Sequence, residues 1–126
     1  MGITNVGLAE VAGLAGDTGT CTAFTYLALG SGSTAFVATQ TALVTEITTV
    51  GLARAAATVS RTTTTDTNDT LTLTKQWTAT GAATVREAGV FNASSAGDML
   101  ARKVLASAVT LADTDTYTWT HNITFA

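Results

Sequence analysis

Between Thr116 and Ala126 the chain alternates without a break. Tyr117, Trp119, His121, Ile123 and Phe125 take one set of positions, and Thr116, Thr118, Thr120, Asn122 and Thr124 take the other. A period of two, bulky on one side and small and polar on the other, is what a half-buried strand requires. Wound as a helix, the same aromatics would scatter around the axis. At ~3.3 Å per residue the segment reaches roughly 35 Å, enough to cross a whole sandwich. Each large side chain it buries contributes roughly 1.5–3 kcal/mol. A central strand whose inner face anchors the core is expected here.

Segments upstream read in the same way. Ala23–Leu29 is an apolar run ending in the turn Gly30-Ser31-Gly32-Ser33, a buried strand and its exit. Leu52–Ser60 is an alanine-rich strand whose small side chains let a second layer come close. Asp69–Thr78 sets Leu71, Leu73, Lys75 and Trp77 opposite Thr70, Thr72, Thr74, Gln76 and Thr78. Thr84–Phe91 and Met99–Ser107 flank a polar loop as an antiparallel hairpin. Thr39–Ile47 has Leu43, Glu46 and Ile47 at helical spacing, with Thr39 placed to cap a short helix. Many short strands and hardly any helix predict an all-β fold, a single antiparallel β-sandwich of jelly-roll type. A small closed barrel is the alternative. Phe24, Trp77, Phe91, Tyr117, Trp119, Ile123 and Phe125 are the predicted core anchors.

Residues 1–21 differ in kind, being rich in glycine and alanine. Leu8, Val11 and Ala15 have helical spacing, but Gly7, Gly13 and Gly16 each lower helix stability by up to ~1 kcal/mol. The segment reads as an N-terminal arm, flexible or weakly helical, ahead of a sandwich domain over 22–126. Such an arm can order against a neighbouring subunit, with Val6, Leu8, Val11 and Leu14 as its assembly contacts.

The charge balance bears on partners. Six Lys and Arg stand against nine Asp and Glu, for a net −3 and a pI near 4.7. That leaves no basic stripe to track phosphates, so no nucleic-acid partner is expected. Charged residues are 12% of the chain, against about 25% in ordinary domains. Threonine fills 29 of 126 positions and proline none. Threonine favours strands and faces water without charge, so this skin suits a subunit packed among others. The mean hydropathy of +0.32 comes mainly from Ala, Val and Leu. No apolar run is long enough for a membrane helix, so no membrane partner is expected. The opening residues lack the charged region that precedes a secretory core, so synthesis is expected in the cytoplasm. One cysteine excludes an internal disulfide.

No set of side chains assembles a catalytic constellation. His121 is the single histidine and lies on an apolar strand face, where packing or a subunit contact suits it better than a triad or metal site. Cys21 has no basic neighbour to activate it. The Gly30–Ser33 turn lacks the lysine of a phosphate loop. Asp66-Thr67-Asn68-Asp69 begins like a calcium loop but lacks its glycine and closing glutamate. Asp113 and Asp115 can cap a turn. Arg86 and Glu87 fall on opposite faces of a strand. Glu87 therefore needs another partner: Arg54, Arg102 or backbone amides. Three glycosylation triplets, at Asn68, Asn92 and Asn122, count for little in a threonine-rich chain without a secretory signal. No catalytic, cofactor-binding or metal residue is assigned.

Three segments carry a resemblance when read together. Phe24-Thr-Tyr-Leu-Ala-Leu-Gly-Ser-Gly-Ser-Thr-Ala is followed by Thr39-Gln-Thr-Ala-Leu-Val-Thr-Glu-Ile. Arg86-Glu-Ala-Gly-Val-Phe-Asn then precedes Gly97-Asp-Met-Leu-Ala-Arg102, and the chain closes on the alternating strand. This order is similar to that of a family of small structural proteins of tailed bacteriophages and prophages, over nearly the whole chain from about Leu8. The resemblance implies a virion component with a β-sandwich fold, no enzymatic activity and no cofactor. Neither a repetitive shaft nor coiled-coil heptads mark a tail fibre, and exposed aromatics for a receptor-binding tip are few. The expectation is a capsid decoration, or cement, protein on the virion surface. Its partners would be the major capsid protein and itself, as a homotrimer or dimer, with weak contacts multiplied by copy number. A tail, fibre or baseplate component is the alternative. A carbohydrate-binding or hydrolytic module using Trp77 or Trp119 is the reading from another class.

Overall fold

The computed structural model describes residues 2–125; Met1 and Ala126, the last residue of the alternating segment, lie outside them. The described elements run β1 (Gly2–Ile3), α1 (Asn5–Gly16), β2 (Tyr26–Gly30), β3 (Ala55–Ala56), β4 (Thr58–Thr62), β5 (Thr70–Thr78), β6 (Ala83–Phe91), β7 (Met99–Leu111) and β8 (Thr116–Thr124). They form two antiparallel sheets, ordered β1-β7-β6-β2-β3 and β4-β5-β8. The all-β sandwich expected from the strand pattern is the architecture. Leu27, Leu29, Leu52, Leu73, Trp77, Val85, Val90, Leu100 and Ile123 fill the space between the sheets.

Within this frame several segments depart from the sequence reading. The terminal strand β8 is not central. Among the described residues it pairs only with β5, and β5 holds the middle of the smaller sheet. Its alternation survives, because one covered face suffices to impose a period of two. Coverage is uneven, however. Ile123 and His121 are buried, Tyr117 and Trp119 are half-buried, and Phe125, one residue beyond the end of β8, is 55% exposed. Phe125 is therefore not a core anchor. Phe24, Trp77 and Phe91 are buried as expected.

The alanine-rich run does not stay in one sheet. β3 ends at Ala56 on β2, and β4 begins at Thr58 on β5, so the chain changes layer at Ala57 and closes that side of the sandwich. β7 runs beyond Ser107 to Leu111, past an irregularity. From Val85 to Glu87, β6 advances two residues while β7 advances five, from Val104 to Val109. No helix forms over Thr39–Ile47. Instead Ile47 donates its N–H to the Leu29 carbonyl, and Ser31 donates to Thr45, so this stretch lies beside the end of β2.

The helix lies where glycine argued against it. Thr4 caps α1, accepting the Gly7 N–H at 2.9 Å, and its hydroxyl also donates to the Met99 carbonyl. Asp17, in the left-handed region at φ 50°, ends the helix. A Cβ at Gly7 would come within 2.7 Å of the Leu100 backbone, so the missing side chain is what lets α1 lie against β7. Packing outweighs the weak intrinsic propensity. Together with β1, which pairs with Ala101 and Arg102, α1 seats the N-terminal segment on its own sheet.

Candidate interaction surfaces

The densest polar cluster is internal. Glu87 on β6 and Arg102 on β7 are both fully buried, and Arg102 Nε donates to Glu87 Oε2 at 2.7 Å. The carboxylate also accepts the N–H groups of Thr45, at 2.8 Å, and Val44, at 3.2 Å. Arg102 Nη1 donates to the Thr34 carbonyl at 2.8 Å and to Gln40 Oε1 at 3.3 Å. Of the partners expected for Glu87, Arg102 and backbone amides are present and Arg54 is not. Arg86 is exposed, at the register shift between Val85 and Glu87. Gly30 and Gly32 have a structural use here: a Cβ on either would meet the Glu87 carboxylate. The Gly30–Ser33 turn is thus shaped by an acid group from its own protein, not by a phosphate.

Arg54 makes a second tie. It donates to Glu46 Oε1 at 2.6 Å and Oε2 at 3.2 Å, and to the carbonyls of Ala93 and Ala96. Its guanidinium lies 3.6 Å from the Phe91 ring centroid, a cation–π contact. The two clusters bind the long connection between β2 and β3 to the sheet beneath it. A segment of that length without helix or long strand needs such ties. Two of the chain's four arginines are spent inside, which leaves the outer skin poorer still in charge.

At the side of the sandwich opposite the Ala57 crossover, β8 runs free. Lys103, Trp119, Thr120, His121 and Asn122 line a cavity of about 180 Å³ there. Trp119 Nε1 donates to His121 Nδ1 at 3.1 Å, with the rings edge to face. Since an indole nitrogen can only donate, the neutral imidazole carries its proton on Nε2. Nε2 is buried without a partner among the described residues. Burial, assisted by the positive charges of the N-terminal amine and Lys103, lowers the His121 pKa to about 4. This is a packed, neutral histidine.

A larger concavity, about 820 Å³, is an apolar groove between α1 and the smaller sheet. Val11, Leu14, Phe24, Val59, Leu71 and Phe125 are among its lining residues. Leu14, Val59 and Phe125 stay 40%, 41% and 55% exposed there. Of the four predicted assembly contacts, Leu14 and Val11 face this groove. Leu8 is 56% exposed and lies outside it, and Val6 is half-buried. No sequence pattern marks the groove, because Val59 and Phe125 read as ordinary strand positions.

The remaining candidates are accounted for locally. Asp69 accepts the N–H groups of Thr64, Thr65 and Asp66, so its oxygens close the loop. Asp115 caps its turn through the Ala112 N–H. Cys21 donates to the Thr18 carbonyl, and desolvation and the nearby Glu10 raise its pKa, the opposite of activation. Trp77 is buried and donates Nε1 to the Ala53 carbonyl at 2.9 Å, which leaves it no face for a sugar. Among the described residues no three His, Cys, Asp or Glu side chains gather as a metal site, and no helix is long and apolar enough to cross a membrane. No protein-family model and no curated protein matches the chain.

Proposed function

We propose that this protein is a non-enzymatic structural subunit of a phage virion, a decoration protein that docks on the outer capsid lattice and reinforces it. The observation that carries the docking role is the apolar groove with Leu14, Val59 and Phe125 open at its rim. Large side chains left uncovered together mark a surface meant for another protein. The charge-poor threonine skin supports the same reading, and the resemblance in motif order supplies the virion. Because the N-terminal segment is seated on its own sheet, the docking element is the groove beside α1 rather than a loose arm.

Quantitative mass spectrometry of purified particles tests this. Copies comparable in number to the major capsid protein are expected. A handful per particle would assign the protein to the tail instead, and none would end the virion reading. Leu14→Asp and Phe125→Asp should lower capsid occupancy with circular dichroism unchanged. Full occupancy by both variants would remove the groove from the account.

A further inference from the structure

The free edge of β8 is a long strand edge without the usual guards among the described residues. The edge strands of the larger sheet, β1 and β3, are two residues each, and β7, which β1 covers only at Ala101 and Arg102, carries Lys103 and a register shift between Val104 and Val109. β4 runs five residues and carries Arg61 in register with Leu71, on the inward side. Short edges and inward charges are the ordinary means by which a sheet avoids a further strand. β8 runs nine residues with no proline, no charged side chain and no register shift against β5.

Its outward groups can be assigned. Phe125 donates its N–H to the Asp69 carbonyl, and the Asp115 carbonyl accepts from Ala79. Odd positions therefore turn their main chain toward β5. Alternation then leaves the N–H and C=O of Thr116, Thr118, Thr120, Asn122 and Thr124 facing the open side.

We infer that β8 pairs with β8 of a second copy of this chain, antiparallel about a two-fold axis at Thr120, joining two three-stranded sheets into one of six. This rests on the reading of the protein as an assembly subunit and names one of its partners. An antiparallel strand meets its own copy through the same residues on both sides, so the contact closes on itself. Centring it at Thr120 uses every outward group, with Thr116 opposite Thr124 and Thr118 opposite Asn122. The same register sets Trp119 opposite His121 of the copy and Tyr117 opposite its Ile123. The half-covered aromatics of β8 thereby gain neighbours, and the cavity beside Lys103 is covered. β8 brings no charge against itself.

Sedimentation velocity on the full chain, with Thr120→Lys and Thr120→Pro, tests the pairing. In the monomer the Thr120 N–H has no partner among the described residues, so proline removes only a donor to the copy. Lysine sets two like charges together at the axis. A wild-type dimer that both variants reduce to folded monomers is expected. If the proline variant unfolds, the lysine variant alone gives the answer. A wild-type monomer, or a dimer unmoved by lysine, would overturn the inference. So would polymers that lengthen with concentration, the sign of β8 meeting β4 head to tail. Particle occupancy is read separately: a monomer that still decorates particles removes the pairing and spares the capsid role, and a dimer absent from particles does the reverse.

Discussion

The Glu87 carboxylate and the Arg102 guanidinium meet at 2.7 Å with solvent reaching neither. A buried pair of this kind adds little over an apolar substitute, because both ions are desolvated. Removing one partner is different, since the other charge stays behind. Glu87→Ala is expected to cost about 3–5 kcal/mol and to free the loop at Val44 and Thr45, which lose their acceptor. Arg102→Met in the same chain should restore part of that loss. Urea unfolding of the two single variants and the double variant measures the coupling, and costs that simply add would show the two residues to be independent.

Thr4 works at both of its ends. Its oxygen accepts the Gly7 N–H, and its hydroxyl donates to the Met99 carbonyl from a fully buried position. Thr4→Val keeps the shape and removes both bonds. A loss of about 0.5–2 kcal/mol is expected, the usual range for a helix cap. It should appear as a lower urea midpoint with the slope unchanged.

The two-layer fold could be read in advance because covered strand faces impose a period of two, as Leu71, Leu73 and Trp77 show. Glu87 was legible for a related reason: its parity placed a charge on the face of Phe91, which the β2–β3 connection covers, and a buried charge demands a partner. Position within a sheet was not legible. Parity says which face of β8 is covered and nothing about how many neighbours the strand has, so an edge strand read as central. Of the two readings of the N-terminal segment, flexible arm or weak helix, the helix forms over Asn5–Gly16, and the choice was not legible because its stability lies in contact with Leu100 and in the Thr4 cap rather than in local propensity. The groove was hidden because it joins Leu14, Val59 and Phe125, which only the tertiary fold brings together.

Asp69 holds its loop shut by accepting three backbone N–H groups, and these bonds keep its carboxyl well below the usual carboxylate range. A depressed folded pKa adds stability that is full above the ordinary carboxylate value and is lost as pH falls toward the folded one. Asp69→Ala should speed amide exchange at Thr64, Thr65 and Asp66 while leaving the centre of β5 protected. Unchanged exchange at those three amides would show that the loop does not depend on the carboxylate.

His121 sets a second acid limit, in a higher window. Its folded pKa, about 4 against an ordinary 6.5, means that the unfolded chain takes up a proton first as the solution is acidified. Stability is therefore full above pH 6.5 and falls as pH drops toward 4. A shift of that size corresponds to a loss on the order of 3 kcal/mol across the window. His121→Phe cannot titrate, although it forfeits the acceptor for Trp119 Nε1 and should be less stable at neutral pH. The gap between the two proteins, measured by urea unfolding at steps from pH 7.5 to 4, should narrow as pH falls. Carboxylates shared by both proteins cancel in that difference, so a narrowing gap reports the histidine alone. A gap that stays constant would mean that the imidazole becomes charged in the folded protein as readily as in the unfolded one.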